Sequence, residues 1–408
     1  MDQIVRRTPF LSCSVGVSTL LYLHFIYSPG PSRLSSQHVP DHSNVLVQQQ
    51  KDGEKCDMYK GHWVRDFNGS LYTNFNCTTI PKSKNCFKNG RRDRDFLNWR
   101  WKPDRCELPR FNPKTFFQIV KGKKMAFIGD SVAQNHMHSL FCLLSKEETP
   151  VPLLEPNDSK NRIIDFNDSV TSSQTWHFPS HDFTVMGLRS NFLVKAEERS
   201  AIHGSDSFMY NLNLDKVDDI WAQKLPSLDY AIFSGGHWFF RPNFLYQGIR
   251  IDPNVTDLAL GFSLRMSYRA VLNYINECKD CKEGIVTIIR TFAPSHFENG
   301  FWNDGGSCNR TRPLPELDIS WGSRFLELRS FQMEEIERFR RYVTRKKGGK
   351  KRFEVMDVTR ATQMRPDGHP GLYLNWTKGY NDCLHWCLPG PIDAWNDFLL
   401  AILKKEMI

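Results

Sequence analysis

The chain has 408 residues, 40% of them hydrophobic and 13% aromatic, a composition that excludes intrinsic disorder and predicts a globular protein with a substantial core. Its formal net charge of +9 is modest for this length, so we expect no nucleic-acid partner. The densest basic run, residues 345–352, follows a predicted helix and contains two glycines, and we interpret it as a solvated loop. On composition alone a nuclear signal is the alternative, but the export features that follow argue against it.

The N-terminal region indicates an exported protein. Phe10–Tyr27 is a mostly apolar stretch of 18 residues, and two arginines precede it. No small-residue cleavage site is obvious after it, so we predict an uncleaved signal anchor, with residues 1–9 in the cytosol and the rest of the chain in the lumen. Because the stretch is short and contains His24, a cleaved signal peptide is the alternative. Residues 28–50 are rich in Ser, Pro, His and Gln, which predicts a flexible stem.

Cysteines and glycosylation sequons agree with a lumenal location. Ten cysteines follow the apolar stretch, and an even number in an exported chain predicts disulfides. Sequons of the Asn-x-Ser/Thr type begin at Asn68, Asn76, Asn157, Asn167, Asn254, Asn309 and Asn375. A zinc site is the alternative for the cysteines, because Cys278-x-x-Cys281 and Cys383-x-x-x-Cys387 each offer two ligands and His385 is near. The compartment favours disulfides, and we predict no metal.

Two regions with different patterns follow the stem. Residues 51–111 are dense in Cys, Asn, Gly, Pro and Trp without a helical period, which predicts a loop-rich region stapled by disulfides. Residues 112–408 alternate short apolar runs with helical stretches, and we assign them to a single domain. The predicted strands are Lys124–Ile128, Phe183–Leu188, Tyr230–Phe233, Ile285–Ile289 and Phe353–Val358. The predicted helices are Ser131–Leu144, Leu264–Glu277, Phe331–Val343 and Pro391–Leu403. This alternation predicts an α/β fold with a mostly parallel sheet.

The run Phe127-Ile128-Gly129-Asp130-Ser131 places a serine directly after the first strong strand and at the start of a predicted helix. Sites in open parallel sheets form at the carboxyl ends of strands, so Ser131 can present its hydroxyl to a cleft. Backbone N–H groups there can stabilise an oxyanion, and we assign Gly129 and Asp130 to the turn that supports it. The alternative is that Ser131 only caps the helix and Asp130 only forms the turn.

A second short motif, Asp382-x-x-His385, lies near the C-terminus. At this spacing, in a turn, both side chains can face one way, so Asp382 can hold the His385 tautomer that accepts a proton from Ser131. Asp367 and His369 form an alternative pair within Asp-Gly-His-Pro. A nucleophile, a base and an orienting carboxylate are the minimum set for covalent acyl transfer, so an enzyme that acts on acyl esters is the leading interpretation.

Several longer motifs occur in order along the chain. The N-terminal ones are Cys56-Asp57-Met58-Tyr59-Lys60-Gly61-His62-Trp63, Lys88-Asn89-Gly90-Arg91 and Trp99-Arg100-Trp101-Lys102-Pro103. The later ones are Gly129-Asp130-Ser131, Gly236-His237-Trp238, Met364-Arg365-Pro366-Asp367-Gly368-His369-Pro370 and Asp382-x-x-His385-Trp386-Cys387-Leu388-Pro389-Gly390. In these motifs the chain resembles, from residue 56 to the C-terminus, the plant trichome birefringence-like family, whose members acetylate cell-wall polysaccharides in the Golgi.

The resemblance implies a fold and a site. The fold would be a three-layer α/β/α sandwich of the Gly-Asp-Ser esterase type with a disulfide-rich N-terminal region, and residues 112–408 would be its esterase-like catalytic domain. Ser131 would be the acylated nucleophile, His385 the base and Asp382 the residue that orients it. The implied disulfides are Cys56–Cys106, Cys77–Cys142, Cys86–Cys387 and Cys308–Cys383. Cys278 and Cys281 would bridge locally or remain free.

The resemblance also implies a reaction. The run from Arg290 to Glu298, followed by Trp302-Asn303, looks like the branch of the family associated with xyloglucan and mannan. The implied activity is a Golgi O-acetyltransferase that acts on a hemicellulose, with an acetyl donor (acetyl-CoA or unknown) as co-substrate and no bound cofactor. The candidate substrate contacts are His237, Trp238, His296 and Trp302, and packing beneath the cleft is the alternative for His237 and Trp238. A polysaccharide acetyl esterase and a non-catalytic polysaccharide-binding protein are the alternatives.

Overall fold

The computed structural model describes residues 56–153, 173–199, 209–251, 256–302, 304–316, 324–345, 351–374 and 380–406. The predicted cytosolic tail, apolar anchor and stem, residues 1–50, lie outside the described residues. Within those ranges no helix is both long and apolar enough to cross a membrane. Of the predicted sequons, Asn68, Asn76 and Asn309 have exposed side chains, while Asn157, Asn167, Asn254 and Asn375 lie outside the described residues.

From residue 113 onward the chain contains both strands and helices, as the sequence predicts, but β-strands follow one another without an α-helix between Val151 and Val217 and between Tyr230 and Ile251 among the described residues. The strands are β1 (Gly61–Arg65), β2 (Trp99–Pro103), β3 (Lys124–Gly129), β4 (Val151–Leu153), β5 (Gln174–Phe178), β6 (Phe183–Arg189), β7 (Val194–Arg199), β8 (Met209–Val217), β9 (Tyr230–Ser234), β10 (Asn243–Gln247), β11 (Ile249–Ile251), β12 (Val286–Arg290) and β13 (Arg352–Met356). The helices are α1 (Pro113–Val120), α2 (Ser131–Leu144), α3 (Asp219–Ala222), α4 (Thr256–Glu277), α5 (Arg324–Arg345), α6 (Thr359–Gln363) and α7 (Asp393–Lys405). The bounds of α2 match the prediction, whereas α4 and α5 each begin a further two turns or so toward the N-terminus.

A seven-stranded sheet occupies the centre, in the order β13-β12-β9-β3-β6-β5-β4. The strands from β13 to β6 are parallel, and β5 and β4 are antiparallel to their neighbours. Side chains of β3 alternate between two cores: Met125 and Phe127 pack with α1, α2 and α7, whereas Ala126 and Ile128 pack with α3, α4 and α5. Helices therefore cover both faces, and the predicted three-layer α/β/α sandwich is confirmed.

Strand β3 is also where the order of the sheet reverses. Its neighbours are β6 on one side and β9 on the other, so the chain after β3 first adds strands on one side of β3 and later adds β9 on the opposite side. Gly129, the last residue of β3, is paired with Arg189 of β6 and Ser234 of β9. A crevice forms at the carboxyl ends of strands where connections diverge in this way, which places the residues after Gly129 at its base.

A second sheet, in the order β11-β10-β8-β7, was not predicted from the sequence. Its buried side chains, Leu212, Leu214 and Leu245, share a core with α4. Most other positions of these strands are polar and at least partly exposed, and β7 has a single buried residue. The apolar alternation that reveals a strand is therefore too weak to detect here.

The N-terminal region, predicted to be loop-rich, contains one antiparallel pair, β1 with β2. It packs on the later part of the chain through aromatic side chains: the Trp63 Nε1–H group donates to the Ala361 carbonyl at 2.8 Å, and the Tyr59 hydroxyl donates to the Val355 carbonyl at 2.6 Å. The four predicted disulfides are present, and Cys278 is bridged to Cys281. All ten of these cysteines are therefore paired in disulfides, as predicted.

Candidate active site

The turn between β3 and α2 presents Ser131. Asp130 caps α2, and its carboxylate accepts from the Val132 N–H at 3.0 Å. Gly129 has φ +153°, and a Cβ atom there would lie 1.8 Å from the Ser234 carbonyl oxygen, so a side chain cannot be accommodated. The lack of a side chain at Gly129 allows β9 to pack closely against the end of β3. Ser131, the first residue of α2, then follows at the carboxyl end of β3.

Ser131, His385 and Asp382 form a continuous hydrogen-bonded chain. Ser131 Oγ lies 2.8 Å from His385 Nε2. His385 Nδ1 lies 2.9 Å from Asp382 Oδ2 and 3.1 Å from Oδ1. In this arrangement the carboxylate accepts a hydrogen bond from the Nδ1–H group, and the free Nε2 lone pair can accept the serine proton. The three residues that the sequence predicts as nucleophile, base and orienting carboxylate are thus in contact, although 251 residues separate Ser131 from Asp382 (382 − 131).

Asp382 is held in its ionised form. Its Oδ1 atom accepts hydrogen bonds from the backbone N–H groups of Leu384 and His385, at 3.2 and 2.9 Å. Lys84 Nζ lies 3.4 Å from Oδ2, and both side chains are less than one-tenth exposed. Burial by itself would raise the pKa of Asp382, but the adjacent charges of His385 and Lys84 and the hydrogen bonds outweigh it and hold that pKa well below its usual range. Sequence reasoning missed Lys84, because nothing in its local motif indicates this distant partner.

Asp130 lies among cations that the sequence also did not reveal. Its negative charge interacts with two arginines. Arg189 is the cross-strand neighbour of Gly129, and Arg290 is buried at the end of β12. Burial lowers the pKa of Arg290 to about 10, and the Asp130 carboxylate opposes that shift. These two cations offset the charge of Asp130 next to the nucleophile, where a developing oxyanion would otherwise be repelled.

The backbone around Ser131 offers a donor for such an oxyanion. The Val132 N–H is taken by the Asp130 side chain, and the Ala133 and Gln134 N–H groups bond to the Asp130 carbonyl. Among the residues that the structure describes, none accepts a hydrogen bond from the Ser131 N–H. The first N–H groups of a helix have no intrahelical partner, and this one is left for a ligand in the crevice.

The loop that carries His385 is held from several sides. Disulfides Cys308–Cys383 and Cys86–Cys387 bracket the histidine. The His296 backbone N–H donates to the Cys383 carbonyl at 2.9 Å. Asn135 of α2 accepts from the Trp386 N–H at 2.7 Å and donates to the Trp386 carbonyl at 3.3 Å. Such restraint keeps a catalytic base within the small tolerance that acyl transfer needs.

The alternative pair, Asp367 and His369, is arranged differently. The Asp367 carboxylate is paired with Arg365 at 2.8 Å, and neither side chain is exposed. His369 is 3% exposed, and its Nδ1–H group donates to the His385 carbonyl at 2.6 Å. Asp367 therefore does not orient His369, and His369 contacts the backbone of the catalytic loop instead of Ser131.

The predicted substrate contacts fall into two groups. Trp238 and Trp302 have exposed or partly exposed rings, and the Arg241 guanidinium lies 4.4 Å from the Trp238 ring centroid and 6.0 Å from that of Trp302. We call Trp238, Arg241 and Trp302 the aromatic platform. His296, by contrast, has both ring nitrogens in contact with protein, at His369 and at the Gln363 carbonyl. Sequence reasoning missed Arg241, which no motif marks.

The fourth predicted contact, His237, lies closer to the catalytic residues. It begins a short 3₁₀ turn after β9, and its ring centroid is 4.5 Å from that of Phe292. Burial lowers the pKa of His237 to about 4, and the charges of Asp130 and His385 also act on it. A neutral imidazole beside the triad can exchange hydrogen bonds with a hydroxyl or a carbonyl group.

The loop that carries Trp302 is joined to the catalytic loop. Glu298 and Ser307 exchange backbone hydrogen bonds at 2.7 and 2.9 Å and close the loop between them. The next residue, Cys308, is bridged to Cys383, and the Asn381 amide donates to the Gly306 carbonyl at 3.1 Å. The loop that carries Trp302 is therefore crosslinked to the segment that positions His385. Across the described ranges, no group of three or more His, Cys, Asp or Glu side chains could hold a metal ion.

The sandwich, the turn after β3 and the serine-histidine-aspartate chain together define a serine-type acyl esterase or acyltransferase. The chain belongs to the PC-Esterase family, the GDSL/SGNH-like acyl-esterase family found in Pmr5 and Cas1p, which matches residues 108–402. The PMR5 N-terminal domain matches residues 54–107. The predicted resemblance to the trichome birefringence-like proteins is thereby confirmed.

Proteins with assigned activities are similar over almost the whole chain. Xyloglucan O-acetyltransferase 4 of Populus trichocarpa is 52% identical, with 98% of this chain and 93% of that protein covered. Xyloglucan O-acetyltransferase 2 of Arabidopsis thaliana is 47% identical, with 99% and 95% covered. Protein trichome birefringence-like 19 of Arabidopsis thaliana is 36% identical over 98% of this chain. Identity is thus higher with the proteins named for xyloglucan than with this other member of the family.

Proposed function

We propose that this protein is an O-acetyltransferase that transfers acetyl groups to hydroxyls of xyloglucan through an acetyl-Ser131 intermediate. The observation that carries the chemistry is the hydrogen-bonded chain from Ser131 Oγ through His385 to Asp382. Full-length similarity at 47–52% identity to proteins named xyloglucan O-acetyltransferases supports the acceptor.

The proposed reaction has two displacements. His385 Nε2 takes the proton of Ser131 Oγ, and the oxygen attacks the carbonyl carbon of the acetyl donor. The tetrahedral intermediate collapses, His385 protonates the leaving group, and the acetyl group remains on Ser131. A sugar hydroxyl then loses its proton to His385 and attacks the acetyl-serine, and His385 returns that proton to Ser131 Oγ. The Ser131 N–H stabilises the oxyanion in both steps, while ionised Asp382 holds the imidazole.

The aromatic platform is the proposed acceptor site. Sugar rings present C–H faces that pack on indole rings, and Trp302 is 60% exposed. Arg241 lies between the two tryptophans and offers donors to sugar hydroxyls. The disulfide Cys308–Cys383 restrains the loop of Trp302 relative to the segment that carries His385, which supports a role for this loop in presenting the acceptor.

The donor and the location complete the proposal. Acetyl-CoA or another acetyl compound serves as co-substrate, with no bound cofactor. The protein is a single-pass type II Golgi membrane protein, anchored by residues 10–27 and with its catalytic domain in the lumen. Five disulfides and three exposed sequon asparagines support an oxidising, glycosylating compartment.

The proposal is tested with the secreted chain from residue 51 onward, since residues 55–408 form one unit. It is incubated with an acetyl donor and, separately, with xyloglucan, mannan and xylan oligosaccharides. We expect mass spectrometry to show the mass of added acetyl groups on xyloglucan, and Ser131→Ala to abolish the gain. Without an acceptor, a peptide containing Ser131 should carry the acetyl group. Release of acetate from pre-acetylated glycans, with no gain on any acceptor, would instead identify an esterase, and glycan binding that survives Ser131→Ala without chemistry would identify a binding protein.

A further inference from the structure

Two imidazole rings lie in contact behind the catalytic loop. His296 Nδ1 is 2.7 Å from His369 Nε2, which is hydrogen-bond distance. The remaining nitrogen of each ring faces a backbone carbonyl oxygen. His296 Nε2 lies 3.0 Å from the Gln363 oxygen, and His369 Nδ1 lies 2.6 Å from the oxygen of His385 itself. The pair therefore connects the catalytic histidine to the segment around Gln363.

The hydrogens in this chain can be counted. A carbonyl oxygen only accepts, so His296 Nε2 and His369 Nδ1 must both carry hydrogen. Two neutral imidazoles carry one hydrogen each, and both would then be used at the carbonyls. The two inner nitrogens would face each other as lone pairs at 2.7 Å, which is repulsive. A third hydrogen between them satisfies every contact.

We propose that His296 and His369 share one additional proton, and that this protonated pair is a positioning device for the catalytic loop. The inference rests on the proposed triad. The proton lies between His296 Nδ1 and His369 Nε2, and it gives the pair a single positive charge. In this state His369 donates to the His385 carbonyl and His296 donates to the Gln363 carbonyl, so the base is held from behind by a charge-assisted chain.

The surroundings both favour and oppose this charge. The charged or titratable groups that face the pair are Asp382, Glu298, Arg310, Arg91 and His385. The carboxylates of Asp382 and Glu298 favour protonation of the pair, although Glu298 is also paired with Arg310. The cation of Arg91, which donates to the His369 carbonyl at 3.1 Å, opposes it. The Trp386 ring, with its centroid 4.2 Å from that of His369, favours a cation on its face.

Burial acts against the proton. It lowers the pKa of His296 to about 4 and that of His369 well below its ordinary value. Losing the proton has its own cost, however. The inner hydrogen bond then survives only if one ring withdraws hydrogen from its outer nitrogen, which sets a lone pair against the carbonyl of Gln363 or His385. The hydrogen bonds that only the protonated pair can make therefore stabilise the charged form and oppose the effect of burial.

A consequence for activity follows. Proton transfer to a neutral base is part of the proposed reaction, and the pair adds a second requirement. The pair must be protonated to hold the loop, so the rate falls as the pH rises through the titration of the pair. The proposed device thus adds an alkaline limb to the pH profile, which a Ser-His-Asp chain alone does not require.

The decisive measurement follows histidine C2 hydrogen–deuterium exchange in the full chain by mass spectrometry, over a range of pH. The pH dependence for each histidine reports its pKa without any need for activity. We expect at least one of His296 and His369 to titrate at or above the ordinary value of about 6.5. If both titrate below that value, the shared proton is absent and the inference is overturned. This outcome is independent of whether the chain acetylates xyloglucan.

The pH profile of acetyl transfer tests the positioning role. His296→Gln keeps a polar side chain that cannot hold the extra proton, and His62→Gln, at an exposed histidine of β1, is the matched control. We expect His296→Gln to lower kcat about tenfold at the optimum, because a hydrogen bond to a charged group is lost, and to remove the alkaline limb. His62→Gln should keep the wild-type profile. An alkaline limb that persists in His296→Gln would overturn the positioning role.

Discussion

Asn135 and Trp386 exchange two hydrogen bonds across the active site. The Asn135 side chain accepts from the Trp386 N–H at 2.7 Å and donates to its carbonyl at 3.3 Å. Asn135 lies four residues after Ser131 on α2, which places both on one face of the helix, and Trp386 directly follows His385. The helix that presents the nucleophile therefore also holds the backbone of the base.

Replacing Asn135 tests this connection. Asn135→Ala leaves a buried N–H and a buried carbonyl without partners, at about 1–3 kcal/mol each. We expect kcat to fall at least tenfold, because the distance from His385 to Ser131 is no longer held, and the free energy of unfolding to fall with it. Asn135→Asp can still accept a hydrogen bond from the Trp386 N–H, so its kcat and its free energy of unfolding should lie between those of the wild type and Asn135→Ala. Urea unfolding and transfer kinetics measure both quantities, and a full kcat in a destabilised Asn135→Ala protein would reduce the residue to a structural role.

Lys84 should set the acid limit of the enzyme. A depressed folded-state pKa, as for Asp382, contributes stability that is present above the unfolded value of about 3.9 and is lost as the pH falls through the folded value. Lys84→Met removes a cation 3.4 Å from the carboxylate and raises the folded-state pKa. We expect inactivation at a higher pH than in the wild type, measured as residual activity after incubation between pH 3 and 6. Lys195→Met, at an exposed lysine of β7, is the control, and an equal shift in both proteins would contradict the assignment.

Two partly buried carboxyls on α7 predict a different dependence on pH. Burial raises the pKa of Asp393 and of Asp397 to about 7. A carboxyl whose pKa is raised by folding stabilises the protein at pH values below its unfolded-state pKa, and this contribution is lost as the pH rises. The free energy of unfolding should therefore fall between about pH 4 and 7. The slope is up to about 1.4 kcal/mol per pH unit for each carboxyl. Asp393→Asn should flatten that fall, whereas Asp215→Asn, at an exposed position of β8, should not. Thermal unfolding across this range measures the effect, and an unchanged slope in Asp393→Asn would show that Asp393 is ionised throughout.

The aromatic platform should affect the glycan and not the chemistry. Trp302→Ala removes an exposed indole, and we expect KM for xyloglucan oligosaccharides to rise about tenfold, in line with a contact of about 1–1.5 kcal/mol. Hydrolysis of a small acetyl ester, which does not reach the platform, should be unchanged. Phe67→Ala, at a side chain that is 81% exposed in the N-terminal region, is the matched control. A loss of small-ester hydrolysis in Trp302→Ala would instead place Trp302 in the support of the catalytic loop.

Local sequence signals determined the central part of the fold. The apolar run before Gly129 forms β3, and Asp130 caps a helix whose bounds, Ser131–Leu144, the sequence predicts. Both signals act over a few residues, and so does the spacing that puts Asp382 beside His385. The disulfide pairs came from the resemblance to a family, because ten cysteines alone permit many pairings.

Tertiary structure decided what lies around these residues. The second sheet has too little apolar alternation to be predicted, and its strands are stabilised by packing on α4. Lys84 meets Asp382 across 298 positions of sequence, and His296 meets His369 across 73. The sequence by itself determined which chemical groups the site contains, because nucleophile, base and carboxylate lie in short motifs. Their partners are set by burial and by contacts between distant segments, which no local pattern encodes.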